Sequence, residues 1–378
     1  MREVAVVGVG MTKFGRFPEK SVSELGGDAI LDALKDCGMS MKDIQVAYSA
    51  GGGPTMRGQE ILREVGTTGI PMMNIENACA SGSSAFREAY LAVASGHFDV
   101  GLAVGTEKLG KAGLLGVGAQ AREQDPEGII GTFVMPGIFA QLGVRHMADY
   151  GTTAEQFATV AVKNHRYSVW NPRSHYRTAY TLEEVLNARM VAWPNTLYMC
   201  CPTTDGGAAA ILCSMDKARQ FTSKPVRIAS SVLATPSYSP QGMGFVDVRE
   251  MTRRAADLAY GQAGVGPEDL DMVELHDCFA TAELLHYENL HLCEWGEGGK
   301  MVQDGAFDLG GKVPVNLSGG LLSKGHPISA TGVAQICELT WQLRGEAQTP
   351  ERQVPNAKVA LGHVQGGFTS CTVHILTL

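Results

Sequence analysis

The segment DALKDCGMSMKDIQVAYSA, residues 32–50, resembles the later segment DLAYGQAGVGPEDLDMVELH, residues 257–276. Aligning the two segments pairs Gly38 with Gly264 and Ile44 with Leu270. In each segment the end of a helical pattern is followed by a glycine that stops the helix and then by an apolar strand. The repeat predicts an α/β protein built from two similar halves. Chance similarity between α/β units is the alternative.

The repeat extends beyond these segments. Strands are predicted at 3–9, 44–49, 226–232 and 270–275, and helices at 21–37 and 251–262. Ser81-Gly82 before a helix at 83–95 corresponds to Thr331-Gly332 before a helix at 333–343. Apolar strands follow at 100–104 and 359–361. The predicted domains are an N-terminal half (1–110 plus 196–224), an inserted loop domain (111–195) and a C-terminal half (225–378).

Composition limits the function classes. The chain has 378 residues, 44% of them hydrophobic and 19% charged, which is typical of a globular protein with a sizeable core. Its net charge of −8 and the lack of a strongly basic window argue against a nucleic-acid surface. Its apolar runs are strand-sized and its N-terminus lacks signal-peptide features, which predicts a soluble cytoplasmic protein. The 9 cysteines are expected to be reduced thiols.

Two features of the insertion have alternative interpretations. The basic segment KNHRYSVWNPRSHYR, residues 163–177, is either a solvated helix end or a surface for the phosphates of a large anionic substrate. The bulky residues Phe133, Met135 and Phe139 either shape a substrate pocket or pack the lobe. Cys200-Cys201 is interpreted as buried packing.

Cys79 is the candidate nucleophile. It lies in NACASG, residues 77–82, between a predicted strand at 71–76 and a helix of small residues. A thiol at such a turn faces the helix N-terminus, which favours the thiolate. A small packed cysteine is the alternative.

His326 lies at the equivalent turn of the second half, in NLSGGLLSKGHPISATG, residues 316–332. If the halves pack about a pseudo-twofold axis, Cys79 and His326 meet and form a thiolate–imidazolium pair. A turn histidine with ordinary hydrogen bonds is the alternative.

Two further blocks complete the candidate site. In HDCF, residues 276–279, His276 is predicted to donate to a carbonyl oxygen and Cys278 to move a proton. The His-x-Cys spacing also fits half of a metal site, but His286 and His291 lack zinc spacing, so no metal is predicted. Glycines of residues 362–367 are predicted to supply oxyanion-hole N–H groups, with a hairpin turn as the alternative.

Together these blocks resemble the thiolase superfamily over essentially the entire chain. NACASG matches the nucleophile loop, CPTTDGGAAAIL at 201–212 the family's SDGAAA segment, and residues 316–332 the family's NPxGGxxxxGHPxGATG. HDCF resembles the sterol-carrier-protein-type and archaeal branch. The cysteine of a C-terminal CxGGG motif is absent, and GHVQGGFTS stands where relatives have an HNxGG-like run.

The resemblance implies a five-layer α-β-α-β-α sandwich and an acyltransferase that works through an acyl-enzyme on Cys79. It implies catalytic roles for His276, Cys278 and His326, with His276, His326, Cys79 and Gly366 forming the oxyanion holes. Met135, Phe279 and Ser323 are the expected substrate-binding residues. The expected substrates are acyl-CoA and CoA, with no permanently bound cofactor and no metal. A homodimer and a small partner with an OB-fold and a zinc ribbon are also implied.

Rival functions remain at this point. A ketoacyl synthase or hydroxymethylglutaryl-CoA synthase relative would share Cys79 and His326, although HDCF favours a thiolase. A retro-aldolase subunit of the same fold is expected to lack Cys79. An acyl-CoA-binding scaffold working with a partner is expected to tolerate loss of that thiol.

Overall fold

The computed structural model describes residues 1–51, 56–110, 134–237 and 249–378. Phe133, one of the bulky residues of the insertion, lies outside the described residues. Within the described ranges, no helix has both the length and the apolar character that crossing a bilayer requires.

The first half alternates strands and helices. Its elements before the insertion are β1 (Val4–Met11), α1 (Val22–Cys37), β2 (Val46–Ala50), α2 (Arg57–Val65), β3 (Met72–Ile75), α3 (Ser81–Ala94) and β4 (Val100–Lys108). Helix α1 begins at a capping box, in which the Ser21 hydroxyl accepts from the Glu24 N–H and the Glu24 carboxylate accepts from the Ser21 N–H. It ends at Gly38 with φ of 68°, as the sequence predicts.

The insertion is more regular than its sequence pattern suggests. Its described elements are α4 (Met135–Tyr150), α5 (Ala154–Ser168), α6 (Leu182–Leu186), β5 (Met190–Ala192) and β6 (Asn195–Thr196). The basic segment is a solvated helix end only in part, because Lys163 and His165 are buried whereas Arg166 and Arg177 are exposed. Lys163 Nζ lies 2.9 Å from a Glu283 carboxylate oxygen, so this cation is already neutralised and does not face a substrate phosphate.

The second half repeats the order of the first. The chain returns through β7 (Asp205–Ser214) and α7 (Met215–Ala218) before the second repeat begins. The later elements are β8 (Val226–Ala234), α8 (Arg249–Ala263), β9 (Met272–Glu274), α9 (Ala280–Asn289), α10 (Gly298–Gln303), α11 (Gly320–Lys324), α12 (Ile328–Arg344), β10 (Val359–Gly366) and β11 (Ser370–Thr377). Gly264 ends α8 with φ of 71°, matching Gly38 after α1.

Nine strands form one continuous sheet in the order β3-β2-β4-β7-β1-β8-β11-β10-β9. The halves join where Val6 of β1 lies opposite Val226 of β8. Moving outward from that junction, β1, β7, β4 and β2 match β8, β11, β10 and β9. The directions also match, since β2–β4 and β9–β10 are the parallel pairs on the two sides. The topology therefore supports the internal repeat.

Helices cover both faces of this sheet. In β1, Val4 and Val6 belong to the core beneath α3 and α12, whereas Ala5 and Val7 belong to the core beneath α1. This alternation places α1 on the opposite face from α3 and α12. Helix α12 contacts β4 and β7 of the first half and β10 of the second, while α8 covers β8 and β11. The two halves of the sheet therefore lie on opposite sides of α3 and α12, with α1 and α8 on their outer faces, which is the predicted five-layer α-β-α-β-α arrangement.

The two central helices approach each other through glycines. A Cβ at Gly82 of α3 would lie 2.5 Å from the Ser329 carbonyl oxygen in α12. A Cβ at Gly332 of α12 would lie 2.3 Å from the Ser83 backbone nitrogen in α3. Because these are backbone atoms, a side chain at either position would push the helices apart. This contact brings the turns that precede α3 and α12 together.

Candidate active site

Cys79 lies in a tight turn between β3 and α3. The Ser81 hydroxyl holds this turn by accepting from the Asn77 N–H at 2.8 Å and donating to the Ala78 carbonyl oxygen at 2.6 Å. Ala78 has φ of 50°, a conformation that costs a non-glycine residue about 1–3 kcal/mol and persists only when surrounding contacts enforce it. The turn leaves the Cys79 side chain partly exposed, two residues before the first residue of α3.

Cys79 and His326 come together across the two halves. The Cys79 Sγ lies 3.3 Å from the His326 Nε2, and the His326 Nδ1 lies 2.7 Å from the Thr331 Oγ1. The Thr331 hydroxyl donates to the Pro327 carbonyl oxygen at 3.1 Å, so it must accept from the Nδ1–H of His326. This tautomer leaves Nε2 unprotonated and facing the sulfur. The imidazole is therefore oriented to accept the thiol proton.

The resting pair is neutral. Burial raises the pKa of Cys79 to about 12 and lowers the pKa of His326 to about 3. Both shifts favour the neutral thiol–imidazole form of the pair over the thiolate–imidazolium form expected from the sequence. Backbone N–H groups of Gly367 and Cys79 lower the thiol pKa, but burial outweighs them. The geometry fits general-base activation during attack better than a preformed thiolate.

His276 stands beside this pair. Its ring centroid is 5.2 Å from that of His326, and the residue is 2% exposed. Neither ring nitrogen has a hydrogen-bond partner among the described residues. Burial lowers its pKa well below the usual range, so the ring is neutral and carries one N–H. An unpaired buried N–H near the sulfur is suited to donate to a substrate oxygen.

Cys278 lies in the apolar wall of the same site. It is buried, its carbonyl accepts from the Cys201 N–H at 3.0 Å, and burial raises its pKa well above the usual value. The adjoining Asp277 accepts hydrogen bonds from the Leu321 N–H at 2.7 Å and from Asn164 Nδ2 at 2.8 Å. These bonds attach the HDCF turn to α11 and α5. They fix His276 and Cys278 relative to the turn that carries His326.

The glycine N–H that reaches the sulfur is that of Gly367, one residue beyond the Gly366 predicted for the oxyanion hole. Gly366 ends β10 opposite Ser370, and a Cβ there would lie 2.1 Å from the Asn77 carbonyl oxygen. Gly367 has φ of 58° and turns out of the strand. The oxyanion-hole role of Gly366 stays a prediction, and Gly367 is the neighbouring glycine whose N–H reaches the sulfur. His363 lies behind the site, with its Nδ1 3.5 Å from the His276 backbone nitrogen.

The predicted substrate-binding residues have different surroundings. Met135 and Phe279 belong to an apolar cluster with Cys278, Phe139 and Leu321, in which the Phe139 and Phe279 rings stack at 5.0 Å. Cys200 and Cys201 pack against the same cluster. Ser323 lies within α11 with no exposed surface and no partner for its hydroxyl among the described residues.

Sequence reasoning missed several residues that position the site. In the sequence, Thr331 was recognised only as the residue that corresponds to Ser81 in the repeat. In the structure, the Thr331 hydroxyl contacts His326 and the Ser81 hydroxyl contacts Ala78, so each holds the turn that precedes its helix. Asp277 lay inside a quoted motif without an assigned role. Asn164 gave no local signal, because its contact with Asp277 joins residues 113 positions apart.

Family models match most of the chain. A model described as the thiolase N-terminal domain matches residues 4–179, and one described as thiolase C-terminal domain-like matches residues 244–377. The acetyl-CoA acetyltransferase of Methanothermobacter thermautotrophicus is 39% identical, with 100% of both chains covered. Benzoylsuccinyl-CoA thiolase subunit BbsB of Thauera aromatica is 40% identical, covering 97% of this chain and 95% of that one.

Sterol carrier protein 2 of Homo sapiens is 40% identical over 97% of this chain and 70% of its own length. Among solved structures, a chain titled Ltp2-ChsH2(DUF35) aldolase superposes with a TM-score of 0.86, covering 99% of this chain and 97% of that chain at 23% identity. That likeness shows the fold. The two family models and the relatives that match over their whole length also show the family, and the chain belongs to the thiolase family.

Proposed function

We propose that this protein is a thiolase-type acyl-CoA C-acyltransferase that works through an acyl-enzyme on Cys79. The observation that carries the proposal is the 3.3 Å contact between the Cys79 Sγ and the His326 Nε2. A thiol paired with an imidazole whose other nitrogen is held by a fixed acceptor is the general arrangement of an activated sulfur nucleophile. Two relatives of similar length are named for reactions of CoA thioesters, which supports the same substrate class here.

In the first half-reaction, the Cys79 sulfur attacks the thioester carbonyl of an acyl-CoA or the keto carbon of a 3-oxoacyl-CoA. The thiol proton passes to His326 Nε2, and the N–H groups of Cys79 and Gly367 are positioned to hold the developing oxyanion. When the tetrahedral intermediate collapses, the C–S or C–C bond breaks. The proton then goes to the departing CoA thiolate or carbanion, which leaves the acyl group on Cys79.

In the condensing direction, Cys278, a thiol at rest because burial raises its pKa, first gives its proton to solvent, and its thiolate then takes a proton from the α-carbon of a second acyl-CoA. The N–H of His276 holds the thioester oxygen as negative charge develops there, whereas His326 joins it as a second donor only when its Nε2 carries a proton. The carbanion then attacks the acyl-enzyme and releases Cys79. Thiolysis by CoA runs these steps in reverse, and no permanently bound cofactor takes part.

The apolar cluster beside Cys278 supports an apolar acyl group. Phe139 and Phe279 stack there, and Phe368 lies 5.8 Å from Phe139 between ring centroids. Met135 packs against the same cluster. We assign Met135 and Phe279 to binding of the acyl group. Ser323 stays a predicted substrate-binding residue. The acyl group itself is to be identified by measuring C–C cleavage over a panel of straight, branched and aromatic 3-oxoacyl-CoA esters.

The proposed assembly is a cytoplasmic homodimer that also works with a small partner carrying an OB-fold and a zinc ribbon. Strand β3 lies at the edge of the sheet, and its Met73 is 49% exposed. An exposed apolar edge strand supports pairing with a second copy. The name of the solved neighbour joins two components, which supports a partner subunit here. A retro-aldolase role is less favoured, because Cys79 is present and contacts His326.

Acylation is tested by intact mass spectrometry after mixing the protein with acetyl-CoA and longer acyl-CoA esters. We expect one acyl adduct on the wild-type chain and none on Cys79→Ala, because that variant has no sulfur to attack. The matched control is Cys293→Ala, which removes another partly exposed thiol and should leave the adduct intact. An adduct that persists in Cys79→Ala, or an unchanged C–C cleavage rate in that variant, would rule out the proposed function.

The division of roles between the cysteines gives a separate prediction. Cys278→Ala should still form the acyl adduct on Cys79 but should lose condensation and thiolysis, since the α-carbon proton has no acceptor. General acid–base catalysis contributes about 10²–10⁴-fold, so a loss in that range is expected. The measurements are adduct formation and steady-state C–C bond turnover on the same preparation. Loss of acylation together with turnover would show that Cys278 acts in the first half-reaction.

A further inference from the structure

The active-site side chains also form a set of metal ligands. The Cys79 Sγ, the His326 Nε2 and one ring nitrogen of His276 lie within 4.8 Å of one another. One thiolate and two imidazoles are ligands that Zn²⁺ prefers. They come from three separate turns, after β3, after β9 and before α12, so the sequence shows no zinc spacing.

His276 supplies an independent observation that points to a ligand. The residue is 2% exposed, and both of its ring nitrogens lack a partner among the described residues. A buried polar atom without a partner normally marks an absent water, ion or substrate group. A neutral ring also offers a lone pair to a cation.

We propose that Cys79, His276 and His326 bind one Zn²⁺ ion and that this ion inhibits the enzyme by occupying the nucleophile. Binding forms three bonds, from Zn²⁺ to the Cys79 sulfur and to one nitrogen of each histidine. The thiol proton is released to solvent. Water completes the coordination, because three protein ligands leave the fourth tetrahedral position open. No oxidation or reduction is involved.

The distances fit after a small adjustment. Bonds of about 2.3 Å to sulfur and about 2.0–2.1 Å to nitrogen place tetrahedral ligand atoms about 3.4–3.6 Å apart. The sulfur and the His326 Nε2 are already 3.3 Å apart. All three ligand atoms lie within 4.8 Å of one another, so a movement of His276 of at most about 1 Å brings them to tetrahedral spacing. Its unpaired ring nitrogens lose no hydrogen bond in that movement.

The surroundings also suit a cation. Thr331 accepts from the His326 Nδ1–H, which is the outer-shell contact that orients a zinc-bound imidazole through its other nitrogen. The carboxylates of Glu76 and Glu107 act on Cys79 as negative charges that raise its pKa. The same field stabilises a dication that displaces the thiol proton. Glu107 is itself paired with Arg57 Nη1 at 3.2 Å, so only part of its charge acts on a bound cation.

Binding is tested on the substrate-free protein with Co²⁺ as a spectroscopic probe. We expect one equivalent of Co²⁺ to give a thiolate-to-cobalt charge-transfer band and the visible bands of a four-coordinate ion, and one equivalent of Zn²⁺ to remove them. Cys79→Ala should abolish the charge-transfer band, and His276→Asn should weaken Zn²⁺ binding by at least about tenfold. Cys293→Ala, the matched thiol control, should bind as the wild type does. Loss of the band in Cys293→Ala, or an unchanged band in Cys79→Ala, would overturn the site.

Inhibition rests on the proposed function and is measured separately. Zn²⁺ should lower C–C cleavage and block the Cys79 acyl adduct, and a chelator should restore both. If the cobalt spectrum is as expected but the protein cleaves no 3-oxoacyl-CoA, the proposed function fails and the metal site stands. If the protein is active but Zn²⁺ neither binds nor inhibits, the metal site fails and the proposed function stands.

Discussion

The Thr331 hydroxyl decides which ring nitrogen of His326 carries the proton. It donates to the Pro327 carbonyl oxygen and must therefore accept from the His326 Nδ1–H. Without this acceptor, the proton can move to Nε2, where it would point at the Cys79 sulfur. An imidazole in that tautomer cannot accept the thiol proton. Thr331 is therefore a positioning residue that acts through His326.

Replacing Thr331 with valine removes the acceptor and keeps the shape of the side chain. We expect Thr331→Val to lower the rate of Cys79 acylation by about 10–100-fold, by analogy with the loss of the outer-shell partner of a metal-binding histidine. The measurement is adduct formation under single-turnover conditions. Because the defect is one of tautomer, the optimum pH of acylation should also shift.

Thr331→Ser is the matched control, since it keeps the hydroxyl and should restore the rate and the pH profile. If Thr331→Ser is as slow as Thr331→Val, the methyl group rather than the hydroxyl is what matters, and the tautomer argument fails. Circular dichroism on both variants separates a folding defect from a catalytic one.

At this scale, the sequence predicted the residues whose local surroundings are distinctive. Small residues around Cys79 and glycines around His326 identified both turns, and the structure brings them within 3.3 Å. The charge state of the pair was not predictable, because it depends on burial that only the folded chain produces. The role of Asn164 also depends on the folded chain, because its contact with Asp277 connects the insertion to the second half.

Helices α3 and α12 set the distance between the two reacting groups, and their contact depends on glycine. Gly82→Ala places a Cβ 2.5 Å from the Ser329 carbonyl oxygen, so the backbones must separate. We expect this change to cost about 1–3 kcal/mol of the free energy of unfolding, as overpacking does. Since the turns before both helices move with them, the acylation rate should fall more than stability alone explains.

Gly261→Ala is the matched control for this element. Gly261 lies inside α8, and no atom comes within 4 Å of a Cβ built there. An alanine at this position should raise the free energy of unfolding by about 0.5–1 kcal/mol, because glycine is a poor helix former. Urea denaturation measures both variants. Equal effects of the two substitutions would mean that the α3–α12 contact tolerates a side chain.

The sequence predicted element types better than element ends. Helix α12 was expected to begin at 333, the first apolar position of its pattern, but it begins at Ile328 directly after Pro327. Pro327 is the N-cap residue of this helix, and the small residues Ser329, Ala330 and Thr331 belong to its first turn rather than to the loop before it. In the insertion, the sequence pattern did not predict where the helices lie. Its helices α4 and α5 bury polar residues such as Lys163 and Asn164, which obscures the apolar pattern.

At the scale of the whole molecule, buried histidines dominate the response to acid. Burial lowers the pKa of six of them below the usual value of about 6.5, namely His165, His276, His286, His326, His363 and His374. Below pH 6.5 the unfolded chain binds protons at these rings while the folded chain does not. Asp277 and Glu274 have raised pKa values and oppose this effect, but they are fewer. Stability should therefore fall as the pH drops from 6.5 towards 3.

Each such histidine contributes a slope of at most about 1.4 kcal/mol per pH unit below pH 6.5. We expect the urea midpoint to decrease steadily between pH 7 and pH 5. His374→Gln should make this decrease shallower, because the wild-type pKa of His374 is lowered to about 3 by burial in the core. His97→Gln, at an exposed position, should leave the pH dependence unchanged. A midpoint that is constant over this range, or equal effects of the two substitutions, would show that neutral burial of these rings does not govern acid stability.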